Sequence, residues 1–344
     1  MNKQDDWKNV VHKFPEANFL QSPQYGRMNE ILGEKVLTEE FGGEGHALMI
    51  VRDAKRGRYL EIPCGPLLDW NDAKLVGKAF ARIREVAQQE RCVFVRIRPQ
   101  LPATEENLKL LTGLGLVKSP MHLAAEHTVI LDLKHSEEEL LAGMRRQTRY
   151  EVRRADKFGI TVERGNSEEL FQEFHHTQME TAKRQGFVPP SLKTLMAERE
   201  AFGEKIWIYV ARTGTADGGK EAQGKTTTTE AGKPIAYGLI IGDEIEVDYY
   251  EAASTELNRK LPGAYALLWR VMRDMKEAGY KRFNLWGIAP AGQPNHRYAG
   301  VTTFKAGFGG EIMEYVPAHD LVISRVGYWK DLVVEKARKK RRHL

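Results

Sequence analysis

The stretch that decides the fold class is FNLWGIAP at residues 283–290, followed by TTFKAGFGGEIMEYV at residues 302–316. The run FNLWGI is typical of a buried strand, and EIMEYV leads into another. Lys305 lies between them, after Phe304 and before the glycines that flank Phe308. Because glycine lets the backbone turn close to a ligand, we predict that Lys305 lies in such a turn, with a strand edge as the alternative.

The rest of the second half predicts strands and helices packed together. Ser136 and Glu139 form a capping box, which begins one helix that runs to Gly159. Further helices are predicted at 168–183, 192–201 and 262–278, with strands at 160–165, 205–212 and 233–254. The Gly-, Thr- and Lys-rich residues 213–233 cannot build a core, so they predict a flexible extension of a hairpin.

The first half follows a similar pattern. Helices are predicted at 22–32, 71–91 and 108–116, the second of them capped by Asn71. Strands are predicted at 46–54, 58–65, 92–99 and 127–133. At 344 residues the chain exceeds the usual size of a single core, so we expect two domains of an α/β class with mixed (α+β) sheets.

Composition narrows the class of protein. Apolar residues make up 42% and charged residues 29%, and no run approaches the roughly 20 apolar residues that span a bilayer. The N-terminus lacks the apolar core of a signal peptide, so we expect a cytoplasmic protein. Two cysteines, Cys64 and Cys92, argue against a disulfide framework and a cysteine-based zinc site.

Basic residues are unevenly distributed. The last nine residues, KARKKRRHL, contain six lysines and arginines. A second cluster lies in the helix that follows Ser136, and it comprises Arg145, Arg146, Arg149, Arg153, Arg154 and Lys157. Such clusters suit polyanions: RNA, anionic lipid or a nucleotide diphosphate.

Four segments, in order, resemble the FemABX family of tRNA-dependent aminoacyltransferases that form peptidoglycan bridges. They are FLQSPQYGRMNEILG at 19–33, IPCGPLLD at 62–69, MRRQTRYEVRRADKFGITVE with ETAKRQGF at 144–163 and 180–187, and FNLWGIAP with TTFKAGFGGEIMEYV. The last pair is similar to the family's Phe-Lys-x-x-Phe-Gly-Gly signature. Cys64 stands where the family usually has an arginine, which puts the contact made by that arginine in doubt.

The resemblance implies two tandem GNAT-like acyltransferase domains without a coiled-coil arm. The first domain would comprise residues 1–133 and about 317–344, since in this family a C-terminal segment completes it. The second would comprise residues 134–316, with the flexible insertion at about 213–233.

The resemblance also implies a reaction. An amino acid would move from aminoacyl-tRNA, the co-substrate, to the stem-peptide amine of a peptidoglycan precursor, either UDP-MurNAc-pentapeptide or lipid II. The ester is already activated, so alignment of amine and carbonyl and stabilisation of the oxyanion suffice, without a covalent enzyme intermediate. We therefore expect no cofactor and no metal ion, and the sequence lacks a recognisable nucleophile elbow or metal cluster.

Site residues follow from the same resemblance. Lys305, with Phe304 beside it, is the expected catalytic residue. Substrate-binding residues would be Arg184 and Tyr250, with Arg27, Lys35 and Tyr59 in the first domain. Arg145, Arg149 and Arg153 would bind tRNA phosphates. We expect a monomer whose basic tail meets the inner face of an anionic membrane if the acceptor is lipid-linked.

Two alternatives remain. A GNAT-type N-acyltransferase would hold the pyrophosphate of acyl-CoA on backbone amides at a helix start, near Arg259 and Gly263, but Pro262 removes one amide there. A non-catalytic nucleic-acid-binding protein would interleave aromatic with basic residues, whereas the basic helix has only Tyr150.

Overall fold

A computed structural model describes residues 3–54, 57–214 and 230–342. The helices are α1 (Lys3–Lys13), α2 (Pro23–Ile31), α3 (Ala73–Gln89), α4 (Glu105–Gly113), α5 (Glu137–Gly143), α6 (Arg146–Lys157), α7 (Glu168–Gln185), α8 (Leu192–Phe202), α9 (Gly263–Glu277), α10 (Ala299–Ala306) and α11 (Arg325–Arg342). The strands are β1 (Lys35–Glu40), β2 (Gly45–Ala54), β3 (Gly57–Pro63), β4 (Leu67–Leu68), β5 (Phe94–Arg98), β6 (Leu116–Lys118), β7 (His127–Asp132), β8 (Thr161–Gly165), β9 (Ile206–Arg212), β10 (Pro234–Gly242), β11 (Glu246–Ser254), β12 (Arg282–Gly287), β13 (Glu311–Glu314) and β14 (His319–Val322).

The chain divides into two compact units. The first consists of Met1–His127 and Met313–Leu344, and the second of Thr128–Ile312. Each unit contains a mixed sheet with helices packed on it, so the expected α/β class is confirmed.

The sheet of the first unit has the strand order β1-β2-β3-β5-β14-β6, with β4 paired to β2. β3 and β5 are parallel and joined through α3, whose apolar side chains recur at helical spacing and pack on this sheet. Asp72, and not the expected Asn71, caps α3, because its carboxylate accepts from the amides of Lys74 and Leu75.

A buried arginine ties the returning C-terminal segment to the first unit. Arg96 of β5 donates to both carboxylate oxygens of Asp320 in β14, at 2.8 and 3.0 Å. It also bonds Glu335 of α11, and the Tyr328 hydroxyl donates to Asp320 at 3.0 Å. Arg96 is 4% exposed and Asp320 is fully buried, so these charges depend on one another.

The sheet of the second unit has the order β13-β7-β12-β11-β10-β9-β8. Its two faces carry different helices: Tyr237 of β10 contacts Phe174 of α7, and the next residue, Gly238, lies against Leu267 of α9. Since consecutive strand residues point to opposite faces, α7 and α9 pack on opposite sides of this sheet.

The helix predicted from Ser136 to Gly159 is two helices. The capping box at Ser136 and Glu139 is confirmed, with both of its hydrogen bonds formed. However, Met144 is extended (φ −70°, ψ 150°) and breaks the helix after Gly143. The break frees the Arg145 amide, which donates to Gly307 O at 2.8 Å, so a tertiary contact outweighs the local helical pattern.

Other expectations fare differently. The described residues contain no coiled-coil arm, as expected: α7 and α8, on either side of the loop at 186–191, are only 18 and 11 residues long. Helices α1, α10 and α11 were not predicted. Most of the proposed insertion at 213–233 lies outside the described residues. In the described chain, no helix is long and apolar enough to cross a membrane.

Replacing Arg96 by Met should lower the free energy of unfolding of the first unit by about 3–5 kcal/mol, because the buried carboxylate of Asp320 and the partly buried one of Glu335 lose their counter-charge. Urea unfolding followed by circular dichroism measures this loss. The matched control is Lys109→Met, which removes an exposed ion pair to Glu105 and should cost about 0.2–1 kcal/mol. Equal losses in the two variants would contradict the assigned role of Arg96.

Candidate active site

Neighbouring parallel strands of the second unit separate before either of them ends. β11 and β12 pair only over residues 246–248 and 282–284. Beyond these pairs β11 continues to Ser254 and β12 to Gly287. The separation leaves a gap in which backbone groups lack strand partners, and such groups are available to bind side chains or ligands.

A β-bulge borders this gap. Leu239 of β10 lies opposite Glu251 and Ile240 lies opposite Tyr249, so Tyr250 is the extra residue. Tyr250 is partly exposed and meets the Trp286 ring edge-to-face at 5.3 Å. Tyr249 is 6% exposed and belongs to the core beside α9.

Lys305 reaches the gap from α10. It lies in this helix, and so neither in a turn nor on a strand edge, because the glycines of the motif come after it and end the helix. Its Nζ donates to the carbonyl oxygen of Gly287 at 2.9 Å, at the end of β12, and lies 5.6 Å from the centre of the Tyr249 ring. The contacts with Tyr249 and Gly287 have no signal in the sequence, since they depend on tertiary placement.

The Lys305 ammonium is desolvated. The residue is 8% exposed, and none of the described carboxylates forms an ion pair with it. Burial therefore lowers the pKa of Lys305 to about 7. An amine in this state gains its proton readily when an anion arrives.

The residues around Lys305 hold α10 in place. Phe304, Phe308 and Tyr265 form an aromatic cluster with ring centres 5.0–5.9 Å apart. Gly309 and Gly310 have φ of 89° and 85°, and a Cβ on them would lie 2.8 Å from Gly143 O and 2.5 Å from Ile130 O. Both positions therefore require glycine, so the motif positions Lys305 by packing.

The side chain of Arg184 lies beside the C-terminal end of β11. It is the last arginine of α7, and its guanidinium donates to the carbonyl of Ser254 and to Thr181 Oγ1 while pairing with Glu256 at 3.1 Å. Arg184 thus approaches the part of β11 that does not pair with β12 from the face covered by α7, whereas Lys305 meets Tyr249 on the face covered by α9.

The arginines of the basic helix α6 and its N-cap fall into two groups. Arg149 donates to the carbonyls of Leu141, Ala142 and Met144, so it caps the C-terminal end of α5. Arg145, Arg146 and Arg153 are exposed, as is Tyr150 at 57%. The exposed group is available to a polyanion, whereas Arg149 has a structural task.

The expected first-unit residues do not form one group. Lys35 of β1 forms an ion pair with Glu90 at 2.7 Å. Lys35 lies opposite Val51 of β2, and Val51 lies opposite Leu60 of β3, so these three residues point to the same face of the sheet. Tyr59 is adjacent to Leu60, so it points to the opposite face, where it stacks on Phe94. Arg27 of α2 is 59% exposed. Strand alternation therefore places Lys35 and Tyr59 on opposite faces of this sheet.

Cys64, at the position where the resemblance leads one to expect an arginine, contacts a different arginine. Cys64 is fully buried with φ 54°, and Arg98 Nη2 donates to its sulfur at 2.8 Å. A guanidinium therefore lies at this turn, although it comes from β5. Among the described residues, no group of three or more His, Cys, Asp and Glu side chains could hold a metal ion.

Comparisons with known proteins agree with one another. Aminoacyltransferase FemA of Staphylococcus aureus (strain MRSA252) is 22% identical over 327 residues, which cover 75% of this chain and 78% of that protein. The crystal structure of FemX superposes with a TM-score of 0.81 at 16% identity, covering 97% of this chain and 98% of FemX. The structure of L-PGS from Bacillus licheniformis has a TM-score of 0.58 at 14% identity, covering 96% of each chain.

At these identities the two solved structures establish the fold. The sequence model of the FemAB family matches residues 3–111, 111–231 and 217–336, which together span nearly the whole chain. The chain therefore belongs to the FemAB family.

Proposed function

We propose that the chain is a tRNA-dependent aminoacyltransferase that acts on the stem-peptide amine of a peptidoglycan precursor. The observation that carries the proposal is the Lys305 amine, buried without a described carboxylate partner at the gap between β11 and β12. Its relative FemA is named an aminoacyltransferase, which supports the same reaction class here. The precursor is UDP-MurNAc-pentapeptide or lipid II.

The reaction exchanges an ester for an amide. The acceptor amine attacks the ester carbonyl, the bond to the tRNA oxygen breaks, the amine loses a proton and the released tRNA hydroxyl gains one. A protonated Lys305 has three N–H groups and uses one on Gly287 O. The other two can donate to the developing oxyanion or to a phosphate, so Lys305 would act electrostatically, with Phe304 holding the helix that carries it.

The acceptor would lie along the part of β11 that does not pair with β12. Arg184 offers a guanidinium for a phosphate and Tyr250 offers a ring and a hydroxyl. In the first unit, Arg27 and either Lys35 or Tyr59 would contribute contacts, since the last two face opposite ways. Catalysis proposed in this form needs aminoacyl-tRNA as co-substrate and no cofactor.

The start of α9 supports a donor other than acyl-CoA. Pro262 has no amide hydrogen, the Gly263 amide donates to Leu261 O, and the Ala264 amide donates to Asn258 Oδ1 at 3.0 Å. These are the positions from which a helix start would bind a pyrophosphate. Arg259 is paired with Glu256 instead.

Substitution of Lys305 tests its role directly. Lys305→Met should lower kcat with charged tRNA about 10²–10³-fold, by removing one oxyanion donor. Because the ammonium is the active form and its pKa is lowered to about 7, kcat/KM of the wild type should fall as pH rises through about 7. In Lys305→Arg, which stays charged, this fall should disappear. A wild-type rate in Lys305→Met would contradict the proposal.

The same variant provides a stability readout. Between about pH 7 and the ordinary lysine pKa, the unfolded chain binds a proton that the folded chain has lost, so stability rises with pH. Lys305→Met should therefore be more stable than wild type at pH 7, by about 1–3 kcal/mol, and the difference should shrink towards pH 10. A destabilised variant would show that Lys305 is retained for packing.

The exposed face of α6 is proposed to bind tRNA phosphates. Reversing Arg146 and Arg153 to Glu should raise KM for charged tRNA and flatten its dependence on salt. Arg149 is left intact in this test because it caps α5. Lys193→Glu, an exposed position on α8, is the control for a change in net charge. If the double variant has the wild-type KM for charged tRNA at every salt concentration from 50 to 300 mM, α6 is excluded as the tRNA surface.

The C-terminal helix is proposed to meet an anionic membrane, which places the enzyme at the inner face of the membrane. Val326, Trp329 and Val333 are 71%, 66% and 48% exposed and recur at helical spacing on α11, just before the basic run at 336–344. In sedimentation with vesicles, Trp329→Ser should reduce binding to anionic vesicles several-fold, with neutral vesicles as the control. Equal binding to anionic and neutral vesicles, unchanged by Trp329→Ser, would contradict this proposal.

A further inference from the structure

Two carboxyl groups lie together in the second unit without a cation. Glu198 of α8 is 4% exposed, and Glu251 of β11 directly follows the bulged Tyr250. In residues 3–54, 57–214 and 230–342, no lysine, arginine or histidine forms an ion pair with either group. Buried acidic residues that serve only a structural role are normally paired with a basic residue.

Gln178 of α7 completes the cluster. It is 2% exposed, and its Nε2 donates to Glu251 Oε2 at 2.6 Å. Gln178 Oε1 and Glu198 Oε2 are both buried, and no described group donates a hydrogen bond to either oxygen. Two acceptor oxygens are therefore directed into the protein beside a carboxyl pair, where each would gain from a donor.

Burial favours the protonated forms of both carboxyl groups. Burial raises the pKa of Glu251 to about 7, and it raises the pKa of Glu198 well above its ordinary value, with a further contribution from Glu251. The hydrogen bond from Gln178 acts in the opposite direction on Glu251. Near pH 7 the doubly ionised pair is therefore disfavoured, and a positive charge that enters between the two carboxyls would stabilise it.

We propose that Glu198, Glu251 and Gln178 form a binding site for the primary ammonium group of a substrate. An ammonium supplies one positive charge and three N–H donors, which match a carboxyl pair and an amide oxygen. A guanidinium would need a flat array of acceptors for five N–H groups, and Mg²⁺ would demand about six oxygens.

The location links this site to the gap between β11 and β12. Glu251 is partly exposed, which gives a ligand access. It lies between Tyr250 and Ser254, the residue whose carbonyl receives Arg184. Along α7 and β11, Arg184 at one end would therefore bind a phosphate, and Glu198 and Glu251 further back would bind an amine.

The inference rests on the proposed function for the identity of the ammonium, of which there are two sources. One is the acceptor amine, represented by Nα-acetyl-lysine methylamide. The other is the α-ammonium of the donor, represented by a stable aminoacyl amide of 3′-amino-3′-deoxyadenosine. Each probe has a neutral control, the norleucine analogue for the first and the Nα-acetyl derivative for the second.

The test is an NMR titration of wild-type protein labelled with ¹³C at the glutamate carboxyl groups. Without a probe, one carboxyl of the pair should titrate near pH 7. With the probe that binds here, that titration should move down by at least one pH unit, because the ammonium favours the doubly ionised pair. The neutral controls should leave it in place. Identical titrations with charged and neutral probes would overturn the proposal.

Variants give an independent measurement. Glu251→Gln and Glu198→Gln should each weaken binding of the effective probe at least tenfold, whereas Glu180→Gln, an exposed position on the helix that carries Gln178, should not. If the Gln variants bind the probe as tightly as wild type, the pair is structural and the proposal fails.

Failure of the proposed function looks different. A protein that binds the ammonium probe through Glu251 but transfers nothing from charged tRNA would retain this site and lose the aminoacyltransferase assignment. A protein that transfers amino acids while its Glu198 and Glu251 variants keep wild-type KM for both substrates would retain the function and lose the ammonium site.

Discussion

The burial of an unpaired lysine amine is the constraint on which the second unit depends. An ammonium taken out of water needs acceptors, and Lys305 finds one in the carbonyl of Gly287 and an aromatic face in Tyr249. Both contacts exist only because β11 and β12 separate, which leaves the end of β12 without a strand partner on that side. The separation and the amine are therefore two aspects of one arrangement, and the bulge at Tyr250 lies at the same place.

The glycine-rich motif serves this arrangement indirectly. Its lysine touches the gap, but its glycines do not: they let the chain pass within van der Waals distance of Gly143 and Ile130. The break between α5 and α6 has the same effect from the other side, since the Arg145 amide bonds Gly307 O. Arg149 then closes the exposed end of α5. Residues that resemble a polyanion site in sequence are thus partly committed to holding α10.

Periodic features could be predicted from the sequence, and features that depend on distant partners could not. The amphipathic pattern of α3 and the capping box at Ser136 are local, and both form as expected. The break at Met144 and the helix that carries Lys305 depend on tertiary contacts, so local patterns gave a continuous helix and a turn instead. The separation of Lys35 and Tyr59 required the strand register. Among the candidate site residues, Lys305 was predicted through a motif, whereas Glu198 and Gln178 carry no sequence signal, because their burial is decided by how α7 and α8 pack.

The position of β14 has a consequence for synthesis of the protein. This strand, at residues 319–322, lies between β5 and β6, so β6 has no neighbour in the sheet of the first unit until those residues have been made. The residues of the second unit precede β14 in the sequence, and β14 is not a strand of its sheet. The second unit can therefore complete its sheet before the first unit completes its own. A chaperone that protects nascent chains would then act longest on the unit that is translated first.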